Sequence, residues 1–154
     1  MSQRVYRVCR SIHARLDGEG AKRVGGRWNS PGHPVVYMAQ SISLAVLENL
    51  VHMSKEDFPV GYVTVSALIP EELRILGDED FPAVRPQELG DLWLSSAGSA
   101  VLRVRSAVIP DEFNFLLNPL HPEFAQIAAV PPVPLSSTTG GSASGRQLPR
   151  SWRQ

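Results

Sequence analysis

Residues 34–51, PVVYMAQSISLAVLENLV, change period in mid-run, and that change decides the fold. From Pro34 to Ala39 the chain is short and apolar, and alternation puts Val35, Tyr37 and Ala39 on one side, which predicts a strand. Ser41 then stands where a helix N-cap belongs. Leu44, Leu47, Leu50 and Val51 recur at helical spacing behind it, which predicts a helix to about Ser54. A strand feeding a capped helix is an α/β element. On that helix Glu48 and His52 are four residues apart and share a face.

Upstream, Val5 to Cys9 alternates as a strand, and Gly18 to Gly32 reads as a turn-rich loop holding Gly18, Gly20, Gly25, Gly26, Pro31 and Gly32. Downstream, Gly61 to Leu68 is a third expected strand, Pro70 to Pro86 an acidic connection and Pro86 to Leu94 a short helix. Val101 to Val108 is a fourth strand, with Leu102, Val104, Ser106 and Val108 on one face and Arg103 and Arg105 on the other. Pro110 to Pro122 reads as loop, and His121 to Val130 as a short closing helix. Residues 131–154 are rich in Pro, Ser, Thr and Gly, so one domain over 1–130 with a disordered tail is the expectation.

A chain of 154 residues can bury a sizeable core. Its net charge is zero, but residues 1–30 carry seven Lys or Arg against two acids, and residues 31–130 carry five bases against thirteen acids. A neutral chain with an acidic middle argues against tracking nucleic acid, and a small anionic ligand near the basic start fits better. Cys9 is the single cysteine, so no internal disulfide is available; its alternation with Val5 and Arg7 reads as a small buried strand residue rather than a nucleophile. No leader or membrane-length apolar run is visible, which makes a cytoplasmic protein the expectation. No spacing has the form of a metal site.

Three side chains carry the chemistry. Arg27, beside flexible Gly25 and Gly26, can approach phosphate and bind two oxygens at once. Tyr37 offers a ring face that would attract the cationic nicotinamide of NAD. Glu48, among apolar neighbours, can stabilise positive charge growing on a sugar. Each has a plain alternative: an exposed loop arginine, a core tyrosine, and a carboxylate reaching solvent or pairing with His52. Ser106 faces the interior or a cleft. Arg7 is a second phosphate contact or an ion-pair partner, and His52 orients Glu48, contacts ligand, carries a proton or is a partly exposed helix histidine. Trp28 and Asn29 read as loop anchors, and Asn114, Asn118 and His121 as turn residues.

In order along the chain, these motifs resemble the RES domain family. The run Gly25 to Asn29, Tyr37 in Pro34 to Ala39, and Glu48 and His52 after Leu44 match its first half. Ser106 in Arg105 to Pro110, then Asn114, Asn118, Pro119, His121 and Pro122, are similar to its second. The resemblance covers roughly residues 4 to 125. It implies a compact α/β (α+β) domain with a central mixed sheet, related to ADP-ribosyltransferases, acting as the toxin of a bacterial toxin–antitoxin pair. It implies degradation of NAD by hydrolysis or phosphorolysis, or transfer of ADP-ribose to a protein, with NAD as substrate and no cofactor. Arg27, Tyr37 and Glu48 would be catalytic; Arg7, Arg27, Tyr37, His52 and Ser106 would hold the substrate. The implied partner is a Xre-type antitoxin, with no direct nucleic-acid or membrane partner; a homodimer stays open, as does a non-enzymatic interaction module. A Phe-Asp-x-Arg segment that closes such chains has no counterpart after Val130. Ser137 to Gly140 fits such a motif read in a shifted frame, so an aberrant tail and a missing final strand are expected.

Overall fold

The computed structural model describes residues 1–51, 59–82 and 84–135. In chain order they form β1 (Gln3–Arg10), α1 (Glu19–Val24), β2 (Val36–Ala39), α2 (Ile42–Leu50), β3 (Tyr62–Ile69), β4 (Ile75–Gly77), α3 (Pro86–Ser96), β5 (Val101–Arg105), β6 (Phe113–Leu117) and β7 (Ala128–Pro134). The strands make one mixed sheet of order β4-β5-β6-β2-β1-β3-β7, in which β4 and β5 run parallel and the other pairs antiparallel. The expected α/β class with a central mixed sheet is what the chain forms.

Strand parity sorts the core. One face carries Val5, Val36, Met38, Ala67, Ile69, Val101, Phe115 and Leu117, closed over by Leu73, Ile127 and the partly buried Leu16 and Phe124. The other face has two separate covers. Leu44 and Ala45 of α2 pack on Val8 and Ala39, while Trp28, Leu89 and Trp93 pack on Leu102, Val104 and Leu116. Ser41 caps α2 as its position predicts, its hydroxyl accepting the N–H of Leu44 at 3.1 Å.

The sheet has a seam. β1 pairs with β3 through eight register positions but meets β2 at one, Tyr6 opposite Ala39. The seam separates β1-β3-β7 from β4-β5-β6-β2, and α2 bridges it, packing on Val8 of β1 and Ala39 of β2.

Several expectations are corrected. The loop over Gly18 to Gly32 contains α1, which starts behind left-handed Gly18 and stops at Gly25 (φ 71° and 75°), so its glycines bracket a short helix. The acidic connection contains β4. The expected Pro110–Pro122 loop holds β6, a central strand whose Phe115, Leu116 and Leu117 are buried on both faces and therefore show no alternation. In α2 the buried pair is Leu44 and Ala45, whereas Leu47 is 39% and Val51 63% exposed. The helical end expected near Ser54 lies outside the described residues.

The closing helix is a 3-10 turn, Pro122–Gln126, and the final strand expected to be missing is present as β7. The sheet therefore extends past residue 130. Three prolines hid the strand, but β7 is an edge strand. Pro131 and Pro132 fall at a bulge, where the register jumps from Ser66–Val130 to Thr64–Val133. The rest of the expected tail, 136–154, lies outside the described residues.

Candidate active site

Glu48 sits in the last turns of α2, half-buried, and two donors reach the same oxygen. Ser106 Oγ donates to Glu48 Oε1 at 2.6 Å, and Asn114 Nδ2 donates to it at 2.8 Å. Ser106 follows β5 directly and is buried. Its oxygen also accepts the N–H groups of Val108 and Ile109, each at 3.0 Å, so its one proton is committed to the carboxylate. Asn114 lies on β6, and its Oδ1 is buried without a partner among the described residues. Donors aimed at one oxygen hold Glu48 as an acceptor, and no described residue hydrogen-bonds its other oxygen.

The arginine end is built differently. Trp28 and Asn29 are buried as loop anchors, and Asn29 Nδ2 donates to the carbonyls of Ala21, Ser30 and His33. Tyr37 on β2 accepts the Trp28 N–H at 3.1 Å and donates to Asn29 Oδ1 at 2.7 Å. Between these fixed residues stands Arg27, exposed, its guanidinium 5.9 Å from the Trp28 ring centroid, with no hydrogen-bond or ion-pair partner among the described residues. Gly26 is required: a Cβ there would lie 2.7 Å from the Tyr37 hydroxyl.

Arg7, Arg27, Tyr37, Glu48 and Asn114 line one cavity of about 1170 Å³ over the seam. Arg7 projects from β1 and has no ion-pair partner among the described residues. The sequence-predicted residues thus come together, with two exceptions. Ser106 hydrogen-bonds Glu48 without lining the cavity, its oxygen also accepting two backbone N–H groups. His52 lies outside the described residues.

Asn114, read from sequence as a turn residue, is instead a strand residue in contact with Glu48. Recognising β6 would have put it level with Ala39, facing α2. Asn118 and His121 do serve turns, accepting the N–H groups of Leu120 and Glu123.

Burial pushes the Tyr37 phenol up to about 12; the Trp28 N–H opposes this and the nearby Asp91 charge adds to it. Tyr37 is therefore neutral at cellular pH and offers a ring, not a base. Burial also raises the Cys9 thiol, against the opposing charge of Arg7, and its Sγ donates to the His13 carbonyl, as suits a core residue. Among the described residues no group of three or more His, Cys, Asp and Glu is placed to hold a metal ion. No helix among them is long and apolar enough to cross a membrane. A second hollow of about 570 Å³ backs onto Trp28 beside Arg103, Arg105 and Phe113, and holds none of the residues at Glu48.

This chain is similar to known proteins. "Toxin Res" of Photorhabdus laumondii is 37% identical over 131 residues, covering 78% of this chain and 84% of that protein. The "Prs ADP-ribosylating toxin" of a Sphingobium species (strain YBL2) is 35% identical over 126 residues, covering 74% and 78%. Among solved structures, the Mycobacterium tuberculosis MbcT–MbcA toxin–antitoxin complex contains a chain of the same fold, with a TM-score of 0.69 at 20% identity over 88% of this chain and 85% of that one. The family model of the RES domain matches residues 4–138, from the first strand to beyond the last, and this chain belongs to the RES domain family.

Proposed function

We propose that the protein is the toxin of a toxin–antitoxin pair and that it consumes NAD by breaking the bond between nicotinamide and ribose. One observation carries the reading. A carboxylate fixed through a single oxygen by Ser106 and Asn114 shares its cavity with a neutral aromatic ring and an arginine that has no partner among the described residues. Two relatives of known naming are toxins, and one of them is named as ADP-ribosylating.

The chemistry follows from charge. Nicotinamide in NAD is a pyridinium, so the leaving group already holds the positive charge that departure requires. As the bond from ribose C1′ to the ring nitrogen breaks, its electron pair stays on nitrogen, nicotinamide becomes neutral, and positive charge develops on the sugar. Glu48 stabilises that charge electrostatically, held beforehand in one orientation so that little reorganisation is needed. Arg27, with Arg7, takes the pyrophosphate, and the Tyr37 ring faces the pyridinium. Water then forms the new bond to C1′ and releases a proton to solvent, or an anionic oxygen of phosphate forms that bond with no proton lost. No step in this scheme calls on a metal.

A second reading, transfer of ADP-ribose to a protein, is favoured by the name of the Sphingobium relative. The expected partner is a Xre-type antitoxin; the structural neighbour was solved with its own antitoxin. Purified protein given labelled NAD, with and without phosphate, tests both readings. Free nicotinamide with ADP-ribose or its phosphate supports degradation, and label retained on protein supports transfer. Intact NAD in every arm would overturn both.

A further inference from the structure

We propose that Asp91 on α3, flanked by Gln87 and Gly90, is a positioning residue that aims Arg27 at the substrate by holding the backbone of its loop. The proposal rests on Arg27 being the anion-binding arm described above. α3 lines none of the cavity, yet it carries a local conflict: Gly90 and Asp91, both poor helix formers, stand side by side in the interior of an eleven-residue helix.

The Arg27 loop accounts for both. A Cβ on Gly90 would lie 1.6 Å from the carbonyl oxygen of Trp28, so the loop backbone rests directly on the helix. Asp91 uses both carboxylate oxygens on Ser30, accepting its N–H at 2.8 Å and its hydroxyl. Gln87 Nε2 donates to the Asn29 carbonyl at 3.2 Å. From the opposite side Tyr37 takes the Trp28 N–H. The loop is thus sandwiched between α3 and β2, and Arg27 leaves it between two fixed residues.

Binding groups gain most when their geometry is set before the ligand arrives, and a misplacement of about 1 Å can cost on the order of 100-fold in rate. Losing Asp91 should therefore act on substrate binding through Arg27. For turnover of NAD, Asp91→Ala should raise KM about tenfold with a smaller change in kcat, and Asp91→Asn, which keeps an acceptor for the Ser30 N–H, should recover part of the loss. In an Arg27→Ala background the same substitution should add little, because the group it aims is gone. An undiminished Asp91 effect in that background would overturn the proposal.

Amide exchange gives a readout that does not depend on NAD. Asp91→Ala should speed exchange at Trp28 and Ser30 while leaving α2 unchanged, and Asp91→Asn serves if the alanine variant folds poorly. Unchanged protection of Ser30 in the folded variant would also sink the idea. If the wild type leaves NAD intact, the functional reading fails by itself and exchange still decides whether α3 holds the loop.

Discussion

Glu48 and Arg27 share a cavity but are prepared in opposite ways. At Glu48 the side chain itself is clamped, two donors meeting on one carboxylate oxygen. At Arg27 the neighbouring backbone is clamped, by Tyr37 below and α3 above, and the guanidinium is left without a partner among the described residues. A group that must meet charge in a short-lived state gains from a fixed terminus, since reorientation then costs nothing at the moment of reaction. A group that captures a mobile pyrophosphate gains from a fixed root and a free tip. On the proposed reading, the difference fits catalysis at one end and capture at the other.

That division can be broken by kinetics. Glu48→Gln keeps shape and an acceptor oxygen but removes the charge; kcat for NAD should fall about 100- to 1,000-fold with KM little altered. Arg27→Ala should instead raise KM by about 10- to 100-fold, with Arg27→Lys intermediate because an ammonium keeps charge and loses the fork. If the two variants give the same pattern, the ends do not differ in role. Ser106→Ala removes one of the donors holding Glu48 and the acceptor for two backbone N–H groups. It should lower kcat about tenfold and cost about 1–3 kcal/mol of stability, read by urea unfolding. Loss of stability without loss of kcat would make Ser106 a turn residue alone.

The smallest effect concerns pH. Folding raises the Tyr37 phenol from 10.0 to about 12, chiefly through burial, so the folded state holds that proton more tightly than the unfolded chain. The associated stability is complete below pH 10 and is lost as pH rises toward 12. Tyrosinate absorbance should therefore show one late-titrating group, absent in Tyr37→Phe. Titration of that group near its ordinary value would mean that the loop does not seal Tyr37 as described.

Much of this was readable because local signals agreed with the fold. Ser41 before Leu44 announced α2, and alternation at Val5, Val35 and Val101 announced three strands. Arg27, Tyr37 and Glu48 were visible as residue types at odds with their surroundings. What stayed hidden was structure whose pattern is set by tertiary position. β6 is buried on both faces and lies between Pro110 and Pro119, so nothing in its period separated it from loop, and Asn114 was lost with it. α1 was masked by the glycines that bound it, and β7 by prolines that an edge tolerates. The grip of Asp91 on Ser30 spans 61 residues and leaves no local trace beyond a helix interior with two weak formers.

The two ends of the sheet bear on how the molecule behaves in a crowd. At one margin β4 offers three residues, and at the other β7 carries Pro131, Pro132 and Pro134, which have no N–H to lend. Both margins are poor templates for copies to zip together. Contacts between copies of this protein are thereby steered away from strand-to-strand joining.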